Sequence, residues 1–95
     1  MNGAFAISLR RLSPEVSMLV EADDPAILRP DSDDGIILEE FAGRVQAYLQ
    51  ANPGLDLSTC DIYVGFWGQW SLTIPTSFFA LISETGLKVV LDLND

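Results

Sequence analysis

The sequence predicts an α+β domain: a two-layer sandwich, with a mainly antiparallel sheet of about five strands carrying two helices on one face in the order ββαββαβ. Three observations lead there. Phe5, Ile7 and Leu9 alternate with Ala6, Ser8 and Arg10, the period-two signature of a half-buried strand. Leu38, Phe41, Val45, Tyr48 and Leu49 recur mostly at spacings of three and four, the signature of an amphipathic helix. The 95 residues close one core and no more, and the 48% of them that are apolar suffice for it without disulfides or a structural metal.

The elements follow in chain order. After Leu12-Ser13-Pro14-Glu15, the residues Val16, Met18 and Val20 alternate again, so a first hairpin is expected. The competing reading of residues 13–22 is a short helix capped by Ser13 with Pro14 at its first position; the β-branched Val16 and Val20 favour the strand. From Glu21 to Asp34 the pattern breaks. Asp24-Pro25, Arg29-Pro30 and Asp31-Ser32-Asp33-Asp34-Gly35 are turn and breaker signals, so an exposed connection is expected, with room for one helical turn at Ala26-Ile27-Leu28. Asp33 or Asp34 suits the cap of the long helix, Glu39 and Glu40 suit its positive end, and Asn52-Pro53-Gly54 ends it. Glu40 and Arg44 stand at i,i+4 and are expected to pair weakly.

In the second half, Ile62, Val64 and Phe66 alternate, and so do Trp70, Leu72 and Ile74, around Gly68-Gln69. The expectation is a second β-hairpin with Trp67 at its turn and Trp70 in or near the core. Pro75-Thr76-Ser77 opens a short helix with Phe78, Leu81 and Ile82 as its apolar residues, and Gly86 closes it. Leu87 to Leu93 reads as a last, largely buried strand.

Charge is the strongest functional signal. Fourteen acids face five bases and no histidine, for a formal net charge of −9. Such a field repels nucleic acid and anionic membrane and attracts a basic protein surface, raising encounter rates at low salt. The acids are also concentrated: Glu21, Asp23, Asp24, Asp31, Asp33, Asp34, Glu39 and Glu40 lie in one stretch that holds a single base, Arg29. The bland account is a solvated loop followed by a helix N-terminus, with acidity serving solubility.

Several chemistries have little to work with. Without histidine there is no imidazole base and no imidazole metal ligand. Cys60 is followed by Asp61, which does not favour a thiolate, and reads as a small half-buried thiol. With Asp31 at the first position of a calcium loop, the glycine and the bidentate glutamate that the loop requires fall on Ile36 and Ala42. No metal or cofactor is expected, and carboxylates as catalysts are a distant possibility. The apolar runs are too short for a membrane span, the first residues lack the basic and apolar regions of a secretion signal, and a lone cysteine suits a reducing cytoplasm, so a cytoplasmic location is expected.

Ser13-Pro14-Glu15-Val16, the helix around Leu38 to Leu49 and above all the ending from Leu72 to Asp92 resemble a small bacterial family known as domain of unknown function 4279. The family ends in an apolar strand, a short helix, a glycine and a final strand closing on aspartate. Leu72-Thr73-Ile74, Ser77 to Thr85, Gly86, and Leu87 to Asp92 resemble those parts. Immunity proteins of bacterial toxin systems include similar chains, so the resemblance implies an inhibitor role and brings no catalytic residues with it.

The expected function is therefore non-enzymatic: an immunity protein that neutralises a basic toxin domain, such as a nuclease. Asp23, Asp24, Asp31, Asp33, Asp34 and Glu39 are the candidate charged contacts, and Trp67 is a candidate aromatic contact. The alternatives are a DNA-mimic phage inhibitor of a nucleic-acid-binding complex and a structural or oligomerising module. The sequence leaves the oligomeric state open.

Overall fold

The structure, a computed structural model, describes residues 4–21, 34–67 and 73–94, with elements in the order ββαβαβ. The apolar alternation near the start forms strand β1, Ala4–Arg11, which turns through residues 12–16 into β2, Ser17–Glu21. The two pair antiparallel, so the hairpin reading of residues 13–22 holds and the helical one falls. The turn contains a cis Ser13–Pro14 peptide bond. Leu9 faces Val20 and Arg10 faces Met18, which leaves Leu19 as the extra residue of a β-bulge.

Strand β3, Cys60–Trp67, lies at the centre of the sheet. On one side it pairs antiparallel with all of β1, from Ala4 opposite Trp67 to Arg11 opposite Cys60. On the other it pairs in parallel with β4, Lys88–Asn94. The described sheet is thus mixed and four-stranded, in the order β2-β1-β3-β4; two of its pairings are antiparallel and one is parallel, where a mainly antiparallel sheet of about five strands was expected.

The second expected hairpin falls largely on residues 68–72, and among the described residues β1 and β4 take the two edges of β3. Trp70 and Leu72 lie outside the described residues, and residues 73–75 are irregular. Pro75 has no N–H to give a ladder and biases Ile74 toward an extended conformation. Trp67, expected at a turn, is instead the last residue of β3. The expected connection between Glu21 and Asp34, with its helical turn at residues 26–28, also lies outside the described residues.

Helix α1, Asp34–Ala51, joins β2 to β3. Since β2 and β3 are each antiparallel to β1, they run parallel to one another, and α1 crosses over β1 between them. Ile37, Leu38, Phe41, Ala42 and Val45 are buried, with Tyr48 and Leu49 half-buried, which is the expected stripe extended by Ile37 and Ala42. The helix stops at Asn52-Pro53-Gly54 as expected: the Asn52 backbone N–H donates to the Leu49 carbonyl and its Nδ2 to the Tyr48 carbonyl. Helix α2, Thr76–Thr85, joins β3 to β4. Gly86 ends it at φ 71°, where a Cβ is disfavoured, with its N–H donating to the Ile82 carbonyl.

Ile7 and Leu9 of β1 and Cys60, Ile62 and Val64 of β3 form one buried cluster with the α1 stripe, Phe78 and Leu81 of α2, and Leu87. The Phe41 and Phe78 rings meet at the helix–helix contact with centroids 6.5 Å apart. β4 was expected to be largely buried. Instead it lies at the edge of the described sheet, and Lys88, Val90 and Leu91 are exposed on it. No helix of the described residues is long and apolar enough to cross a membrane.

Because Phe41 is fully buried between sheet and α2, Phe41→Ala should cost about 3–5 kcal/mol in urea unfolding. Phe79, exposed on the other side of α2, is the control: Phe79→Ala should change stability by no more than about 0.5 kcal/mol.

Candidate functional site

The charged residues singled out in the sequence divide at Asp34. Asp23, Asp24, Asp31 and Asp33 lie outside the described residues, and Asp34 is the first residue of α1. Glu39 and Glu40 are exposed on α1, away from its apolar stripe. The helix begins at Asp34, so both lie beyond its first turn, where the helix dipole has little hold on a carboxylate. Nor does Glu40 meet Arg44: among the described residues the one ion pair is Arg10–Asp61. Neither capping nor pairing therefore accounts for Glu39 and Glu40. At the other end of the acidic stretch, Glu21 is exposed at the end of β2. The backbone of Trp67 pairs with Ala4 and Asn94; its side chain lies outside the described residues.

A second constellation was not foreseen. Side chains on the helix-free face of the sheet link three strands. Arg10 and Asp61 are direct cross-strand partners on β1 and β3. The Arg10 guanidinium forks onto the carboxylate, Nε to Oδ1 at 2.8 Å and Nη2 to Oδ2 at 2.6 Å. It also lies over the Tyr63 ring, 4.6 Å from the centroid. Tyr63 then donates its O–H to Asp92 Oδ2 of β4 at 2.5 Å.

The electrostatics are those of a clasp. The hydrogen bond to Asp61 raises the Arg10 pKa further above its ordinary value. The hydrogen bond to Asp92, joined by desolvation, raises the Tyr63 pKa above its ordinary 10.0. Both side chains are thereby held in their protonated forms. Asp61 is 3% exposed, and the fork supplies hydrogen bonds to both of its carboxylate oxygens. The sequence did carry a trace of this cluster, since Arg10 and Asp61 both fall at the out-of-phase positions of apolar strands. What it lacked was the register that places them opposite one another.

Two smaller features are local. Asp56 caps the 3-10 turn Leu57–Thr59, accepting from the Ser58 backbone N–H at 3.0 Å and from Ser58 Oγ at 2.7 Å, which lowers its pKa. Cys60, read from sequence as half-buried, is fully buried; its thiol points at the Asp56 carbonyl, 3.6 Å away. Among the described residues no group of three or more acids and cysteines is gathered as a metal site.

Compared with protein-family models, curated proteins and solved structures, the chain matches none.

Removing one arm of the fork should cost more than removing both. Arg10→Ala leaves a buried carboxylate unpaired and should destabilise by about 3 kcal/mol in urea titration, while Arg10→Met with Asp61→Leu should lose less than either single change. For Tyr63 the sign follows from its raised pKa: its contribution to stability is complete below pH 10.0 and is lost as pH rises through the folded value. In a Tyr48→Phe background, tyrosinate absorbance should titrate above 10.0, and Asp92→Ala should lower that midpoint.

Proposed function

We propose that this chain is a non-enzymatic acidic binding protein that neutralises a basic protein, most specifically an immunity protein set against a basic toxin domain such as a nuclease. The observation that carries the reading is the placement of charge. Eight of the fourteen acids fall between Glu21 and Glu40 beside one base. The described acids that bound this stretch, Glu21 before it and Glu39 and Glu40 after it, are exposed and form no ion pair among the described residues.

Clustered like charges oppose folding through mutual repulsion, which makes an external use of them more attractive. A protein that acts on nucleic acid needs a cationic cleft, and a carboxylate surface competes for that cleft. Asp23, Asp24, Asp31, Asp33, Asp34 and Glu39 are the proposed charged contacts, with Trp67 as the aromatic one. The resemblance to domain of unknown function 4279 points the same way, toward an inhibitor.

The test begins with capture from native lysate at low salt, followed by graded elution with salt. A stoichiometric basic protein that is released steeply as salt rises is the expected result, and its identity separates a toxin from a host nucleic-acid-binding complex blocked by a DNA mimic. Replacing Asp31, Asp33 and Asp34 with asparagine should then slow association with that partner and flatten its salt dependence. Capture of no basic protein, or an unchanged association rate at low salt, would sink the proposal.

A further inference from the structure

The two ends of the sheet are finished differently. At one end, β2 is five residues long, carries the bulge at Leu19 and stops on the exposed Glu21. A short, bulged, charged edge is a common device against strand pairing. At the other end, β4 runs seven residues in unbroken register with β3, and among the described residues nothing pairs with its outer side. That edge presents a row of backbone N–H and C=O groups. It also presents apolar side chains. Val90 is 39% exposed, and Leu91 is 56% exposed even though it is the register partner of the buried Val64.

The sequence of β4 is self-complementary when reversed. A two-fold axis through Val90 sets Lys88 opposite Asp92, Val89 opposite Leu91, and Val90 opposite its own copy. The faces agree with this pairing. Lys88, Val90 and Asp92 share the side of the clasp, and Val89 and Leu91 share the side of the core. Each cross-strand contact in such a pair is thus either apolar on apolar or cation on anion, the combinations that stabilise an antiparallel ladder.

We propose that β4 is a homodimer interface: two copies join antiparallel through this strand, centred on Val90, into one continuous eight-stranded sheet (twice the four described strands). Two Lys88–Asp92 pairs flank the axis, and the exposed Leu91 of each copy is covered by the other's Val89. The net charge of −9 on each copy opposes the association. At physiological ionic strength that repulsion is screened over ~8 Å, while the charge pairs act at contact distance. The proposal rests on β4 alone and is independent of the partner proposed above, none of whose proposed contact residues belongs to β4.

Sedimentation equilibrium at physiological ionic strength is the test, with circular dichroism to confirm that each variant is folded. The wild-type chain should associate to twice its own mass. Val90→Lys puts two ammonium groups face to face on the axis and should weaken the dimer by at least ~10-fold. Lys88→Asp and Asp92→Lys each create like-charged pairs and should be monomeric alone, whereas their equal mixture restores both opposite-charge pairs and should form a heterodimer. A wild-type monomer at every soluble concentration would overturn the proposal and leave the edge to another protein's strand. A dimer indifferent to Val90→Lys would overturn it too, and so would folded charge variants that stay monomeric when mixed.

Discussion

Backbone pairing on both sides of β3 is the constraint from which the rest of the structure follows. A strand has two hydrogen-bonding edges, and buried backbone groups must be satisfied. Here β1 occupies one edge over eight residues and β4 the other over seven. Parallel neighbours need a long connection, and α2 lies between β3 and β4 in the chain. Among the described strands β4 lies at the end of the sheet, where it is half covered, and β3 is the strand through which the core and the polar clasp both pass.

Each face of that central strand has its own task. Toward the helices, Cys60, Ile62 and Val64 alternate into the apolar cluster with Ile7, Leu9 and Phe41. Away from them, Asp61 and Tyr63 carry the hydrogen bonds to Arg10 and Asp92. Apolar burial supplies bulk stability without direction. The forked ion pair adds direction, since a slip of β1 against β3 by one residue would part Arg10 from Asp61 and turn Ile7 and Leu9 out of the core. Both effects favour the same register.

Charge is used in two distinct ways in this chain. Asp61 is buried, paired and structural, and Asp56 is spent on a local cap. Glu21, Glu39 and Glu40 are exposed and form no ion pair among the described residues. This division gives the acidic composition a direction that a net charge alone lacks, because it separates the carboxylates that hold the fold from those that face outward.

Properties written in short stretches of chain were legible in the sequence alone. The α+β class, the first hairpin, both helices and the glycine closing α2 depend on period, on capping and on the conformational freedom of single residues, all of which act within a few positions. The acidic excess was legible as well. Strand neighbours were not. Val89, Val90 and Leu91 look as buried as Ile62 and Val64. Whether such a segment pairs, and whether it lies at the centre or the edge of a sheet, depends on which backbone edges distant segments have already taken. The clasp has the same origin: Arg10 and Asp61 are separated by 51 positions, and only the tertiary register brings them to one carboxylate fork.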